Sequence, residues 1–172
     1  SDCTKSPAGV SGISVPLGES GIEDGATDSG VGAFIGLANN MTTQSLRTQR
    51  VYFSYFIPGA SIQPPTTSTA LSVLLPVYVP PTTGSSAGTT KTCNRAYAGL
   101  AVVPAEIRSW INFHRQYLPE PPFSMIVTTT VDAISSAGNG YTSNDADLNI
   151  NWLPDAPIGP NPTPTPDTGA PL

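Results

Sequence analysis

Charge is what this chain has least of: 11 % of its residues are Asp, Glu, Lys or Arg, against about 25 % in an average soluble domain. The seven Lys and Arg are scattered, with no pair tighter than Arg47 and Arg50. No basic stripe exists to displace counterions from phosphates, and a net charge of −5 argues against nucleic acid and anionic membrane surfaces as partners. No apolar run reaches the length of a spanning helix, so no membrane insertion is expected. One histidine and two distant cysteines supply no zinc ligand set. The phosphate-binding glycine patterns and the G-x-S-x-G elbow are missing as well. The expectation is a chain that is not an enzyme and carries no cofactor.

Disorder is excluded next. It requires low hydrophobicity with high net charge, whereas 38 % of these residues are hydrophobic. What the chain has in plenty is turn-formers and hydroxyls, with 16 Gly, 19 Pro and abundant Ser and Thr. That mixture predicts short strands joined by punctuated loops. A chain of 172 residues suits one core rather than two. The fold expected is mostly β, an antiparallel β-sandwich of jelly-roll type with one short helix and a Pro-rich C-terminal tail. Its organisation reads as an N-terminal arm over residues 1–33, a sandwich over 34–153 and a tail over 154–172. A start at Ser1 without methionine suggests a processed product or an excised domain.

The clearest strand is Gln49–Ile57, QRVYFSYFI. Val51, Phe53, Tyr55 and Ile57 share one face, with Tyr52, Ser54 and Phe56 on the other, so the strand should be central or covered outside. Ala33–Ala38, AFIGLA, reads as a short buried strand. Ala70–Val79 reads as a strand at an edge or bulge, because Pro76 interrupts it. Ala96–Val103 and Phe123–Ile134 follow as strands, the latter ending in a turn at Gly138-Asn139-Gly140. Asp147–Trp152, DLNINW, alternates cleanly, with Leu148, Ile150 and Trp152 on one side. Pro104–Leu118 carries the one helical pattern, with Ile107, Trp110, Ile111, His114, Tyr117 and Leu118 on a common face.

Each candidate site has a competing, purely structural explanation. Cys3 and Cys93 would form a disulfide tying the arm to the core, contributing roughly 4–5 kcal/mol in the chain-entropy model; two unrelated thiols is the alternative. Asp28-Ser29-Gly30 and Asp167-Thr168-Gly169 have the form of aspartic-protease triplets, but lie in a Gly-rich arm and a Pro-rich tail, where turns account for them. Asp145, Asp147, Asn149 and Asn151 place oxygens at alternate residues as a calcium loop does. Ile150 and Ala156 stand where that loop demands Gly and Glu, so the polar face of a strand explains the letters. A calcium site shared with Glu19, Glu23, Asp24 and Asp28 is the minor alternative. His114, between aromatics, reads as a structural histidine. Tyr52, Tyr78, Tyr97, Tyr141 and Trp152 are the aromatics available to stack on sugar rings, though core packing competes for most of them. Asn40-Met41-Thr42 is an N-glycosylation sequon.

Two stretches, RTQRVYFSYFIP (Arg47–Pro58) and AGTTKTCNRAYAGLAVV (Ala87–Val103), resemble segments of the β-sandwich modules of tailed-phage tail and receptor-binding proteins. The similarity covers less than a fifth of the chain and includes no catalytic residue. The helical insertion, the Pro-rich tail and the Cys3–Cys93 pairing depart from it. The resemblance implies a virion surface role. Together these readings predict a structural or attachment module of a virion surface or extracellular filament, self-assembling through β-strand contacts. The alternative is a secreted monomeric carbohydrate-binding module.

Overall fold

The computed structural model describes residues 12–17, 30–79 and 94–154. These form nine strands and one helix in the order β1 (Gly12–Pro16), β2 (Val31–Ala38), β3 (Leu46–Phe56), β4 (Thr67–Ala70), β5 (Leu74–Leu75), β6 (Arg95–Val103), α1 (Ala105–Phe113), β7 (Phe123–Ser135), β8 (Gly140–Thr142) and β9 (Ala146–Leu153). The described residues are therefore mostly β with one helix, as composition and apolar spacing predict. The strand pairing is not uniformly antiparallel, however. A seven-stranded sheet runs β1-β9-β7-β3-β4, with β5 also on β3 and β8 on β7. Within it β1 lies parallel to β9. A separate antiparallel ribbon consists of β2 and β6.

Alternation builds the core. Val51, Phe53 and Tyr55 of β3, Phe123, Met125, Val127 and Val131 of β7, and Ile150 and Trp152 of β9 are buried on one face of the large sheet. Val31 from β2, Val102 and Val103 from β6, and Ile107 and Ile111 from α1 join them in a single cluster. β3 is central, as its sequence predicts, but its second face is open, with Phe56 53 % exposed. Among the described residues no layer covers that face, where Tyr52 and Phe56 of β3 lie beside Thr128 and Thr130 of β7. Of the expected strand Ala70–Val79, only Ala70 (the end of β4) and Leu74–Leu75 (β5) are strand; both elements pair with β3, and Pro76 follows β5 rather than interrupting a strand.

Local chemistry fixes the joints. Pro58 and Gly59 make a type II turn after β3: Gly59 has φ +81°, and the Ala60 N–H donates to the Ile57 carbonyl at 3.2 Å. The Gln63 amide then bonds both the N–H (2.7 Å) and the carbonyl (3.0 Å) of Ile57, extending the ladder with a side chain. Gly138 turns the β7–β8 hairpin at φ +87°, where the sequence places it. α1 starts at the residue after Pro104 and is shorter than its pattern suggests. His114 ends it, and a single 3-10 turn spans Arg115–Tyr117.

Tyr55 pins the ribbon to the large sheet. Its hydroxyl donates to the Val102 carbonyl at 3.1 Å and lies 2.6 Å from the Thr67 hydroxyl. Burial raises the phenol pKa above its usual value; the Thr67 hydrogen bond opposes this and the Glu106 charge adds to it. A raised pKa means that stabilisation is complete below about pH 10 and fades as pH climbs through the folded-state value. Tyr55→Phe is expected to cost about 1–2 kcal/mol at neutral pH, the value of a buried hydrogen bond. Denaturant titrations should show this gap narrowing above pH 10, and a constant gap would refute the linkage.

Candidate functional site

The ribbon buries one face and leaves the other exposed. Opposite residues pair as Phe34 with Gly99 and Gly36 with Tyr97. The Asn39 N–H donates to the Asn94 carbonyl at 2.9 Å. Alternation along an antiparallel ladder then makes Leu37–Ala96, Ile35–Ala98 and Ala33–Leu100 the hydrogen-bonded pairs. Phe34–Gly99 and Gly36–Tyr97 are the intervening close pairs. Each ring lies over the glycine opposite: a Cβ on Gly99 would meet Phe34 Cε1 at 3.2 Å, and one on Gly36 would meet Tyr97 Cε1 at 3.1 Å. The result is a flat outer face of Gly32, Phe34, Gly36, Ala38, Tyr97, Gly99 and Ala101. Phe34 is 70 % exposed there, and Arg95 at one end is the sole charge.

The edge of β2 is equally bare. By the same alternation, the N–H and C=O groups of Gly32, Phe34, Gly36 and Ala38 point away from β6, and they find no backbone partner among the described residues. Beside this edge runs a cleft of about 820 Å³. It touches every residue from Gly32 to Ala38 but only Tyr97 and Val102 of β6. Consecutive residues of a strand face opposite ways, so a cleft touching all of them must follow the backbone edge. Its far wall includes Thr48, Val131, Tyr141 and Leu148 of the large sheet and hairpin. The β6 edge instead faces β4 across a smaller cleft of about 500 Å³.

Natural edge strands are blunted by charge, proline or brevity. β4 is four residues long and preceded by Pro64 and Pro65, and β1 contains Pro16. β2 is eight residues with neither charge nor proline, its one irregularity a register shift between Val31 and Gly32. AFIGLA is thus a strand, as expected, but not a buried one. No local pattern warns of this, because the glycine that Phe34 lies over, Gly99, is on another strand.

The other expected site residues scatter. Tyr52 is exposed on the outer face of the large sheet, opposite Ser68 and Thr130. Tyr97 of the ribbon and Tyr141 of the hairpin both line the cleft, while half-buried Tyr78 donates its backbone N–H to the Met41 carbonyl. Trp152 is fully buried, so its place among ligand-stacking aromatics is corrected; it shares the inward parity of Ile150. These five do not form one platform.

The calcium candidates serve a strand face. Asp147 accepts from the Thr128 hydroxyl at 2.7 Å and Asp145 from the Thr130 hydroxyl at 3.1 Å, while Asn149 sits exposed opposite Ile126. Among the described residues no three His, Cys, Asp or Glu are grouped to hold a metal ion. His114 stacks on Trp110 with ring centroids 4.3 Å apart, and its Nδ1 lies 2.9 Å from the Trp110 carbonyl, so that nitrogen carries the proton. Cys3, Cys93, the acidic arm residues Glu19, Glu23, Asp24 and Asp28, the triplet Asp167-Thr168-Gly169 and the tail from residue 155 lie outside the described residues. No described helix is long and apolar enough to cross a membrane. Neither the protein-family models nor the curated proteins contain a match to this chain.

Proposed function

We propose that this chain is a structural or attachment module that self-associates through its β2–β6 ribbon, at a virion surface or in an extracellular assembly, and that it performs no catalysis. The observation that carries the reading is the eight-residue β2 edge, uncharged and unpaired among the described residues, beside an apolar-lined cleft with Phe34 70 % exposed. An open edge gives affinity through main-chain hydrogen bonds, and alternate side chains entering a groove give specificity. In this reading the ribbon over the large sheet is a jelly-roll-like sandwich left open along one side. Low charge and many hydroxyls suit a surface packed against its own copies.

Light scattering across a concentration series tests it. The wild-type protein should form dimers or larger species, and Phe34→Lys should shift them to monomer. At concentrations low enough for the wild type to be monomeric too, the Lys substitution should leave the melting temperature nearly unchanged, because Phe34 is exposed. A wild-type protein monomeric at every concentration would sink the proposal. One observation favours a second reading, carbohydrate binding: Tyr52 stands exposed beside Arg50, Ser68 and Thr130, a ring flanked by hydrogen-bonding groups. A strict monomer retained on polysaccharide columns would favour that reading.

A further inference from the structure

We propose that the occupant of the β2 edge is the β2 strand of a second copy, paired antiparallel about a two-fold axis through Ile35. The inference rests on the self-association reading and adds its partner strand and register.

The argument begins with which registers are allowed. Residues opposite each other in an antiparallel pair project to the same face. Val31, Ala33, Ile35 and Leu37 are buried or half-buried, whereas Gly32, Phe34, Gly36 and Ala38 are exposed. A pairing must therefore match odd positions with odd and even with even. Only registers centred on a residue do this; those centred between residues turn one copy's inward side chains to solvent.

Among the permitted registers, centring on Ile35 uses the edge completely. Gly32 then lies opposite Ala38 of the second copy and Phe34 opposite Gly36. These are the residues whose N–H and C=O groups point outward, so each such group gains a partner across the axis. Centring on Phe34 instead carries Ala38 beyond the strand, opposite Gly30. The Ile35 register also repeats the pattern already present within the ribbon, an aromatic side chain facing a glycine. On the inner face, Ala33 meets Leu37 and Ile35 meets its own copy, closing the cleft that follows the edge. No charged residue lies in β2, so bringing two copies together creates no like-charge repulsion. Such a contact is isologous, the commonest closed arrangement of identical chains.

Cysteine pairing tests the register. In this arrangement Ile35 faces its own copy as a non-hydrogen-bonded pair with Cα atoms about 4.5 Å apart, within disulfide reach. Under mild oxidation the full chain carrying Ile35→Cys should become mostly a covalent dimer, with a 35–35 linkage mapped by peptide mass spectrometry because Cys3 and Cys93 are also present. Phe34→Cys should not link to itself. Mixing Ala33→Cys with Leu37→Cys chains should give a crosslinked heterodimer, which covers the case that Ile35→Cys fails to fold. A 34–34 linkage, or a protein that light scattering shows to be dimeric with none of these linkages, overturns the register but not self-association. A strict monomer overturns both.

Discussion

Trp152→Ala is expected to lower the unfolding free energy by about 3–4 kcal/mol, the largest single-site loss anticipated for this chain. The indole is fully buried on β9, the strand joining parallel β1 to antiparallel β7. It pairs with Val15 on one side and Phe123 on the other, and its ring centroid lies 6.5 Å from that of Phe123. Removing it opens a cavity against both neighbours. The loss should stay below the upper end of the range for large aromatics, because Nε1 is buried with no hydrogen-bond partner among the described residues, a defect the truncation removes. Trp152→Phe separates the two effects: it keeps most of the packing, deletes the orphan donor and should cost about 1 kcal/mol or less. Denaturant unfolding with unchanged m-values would measure both. An alanine variant within 1 kcal/mol of wild type would mean that the indole is not part of this core.

Asn39→Ala should cost about 3 kcal/mol while Asn40→Ala is nearly neutral, and the contrast between these neighbours is the test. Asn39 is fully buried where β2 leaves the ribbon. Its amide nitrogen donates to the carbonyls of Gln44 (2.9 Å) and Pro76 (3.0 Å), with a longer approach to that of Leu75 at 3.4 Å. Its oxygen accepts from the Met41 N–H at 2.9 Å. One side chain thus satisfies backbone groups before β3 and after β5. Alanine would leave several of them unpaired, each at about 1–3 kcal/mol before relaxation or water entry offsets part of the cost. Asn40 is exposed. Equal losses at the two positions would show that the buried network does not hold this corner.

These two residues also mark how far the sequence can be read. β3 and β9 are legible because period-2 alternation is a local signal, and the helix because its apolar residues recur at helical spacing. The same parity that places Ile150 inside places Trp152 inside, so core packing rather than ligand stacking is its local reading. Asn39 and Asn40 are identical letters; Asn39 continues the inward parity of Ile35 and Leu37, and the carbonyls of Gln44, Leu75 and Pro76 that meet its amide are set by the fold. Phe34 reads as core because AFIGLA has no polar residue to reveal its outer face. Its exposure depends on Gly99, far along the chain. The parallel β1–β9 pairing is equally non-local, since nothing in GISVP specifies a partner or a direction. What pattern cannot supply is the identity of the neighbour, and the candidate surface is defined by neighbours.

That parallel pairing has a mechanical consequence. β1 and β9 run the same way, with Gly12 beside Asn149 and Pro16 beside Leu153. Tension entering at Gly12 and leaving at Leu153 would pull the two strands lengthwise past each other. The rungs between them would then share the load together, instead of peeling one at a time as they do when a hairpin is pulled open from its ends. Arg108 adds a cross-brace at the far end of β1, donating to the Pro16 carbonyl at 3.0 Å. For a subunit strung between neighbours, this seam is the element that would set how much force the domain bears before it yields.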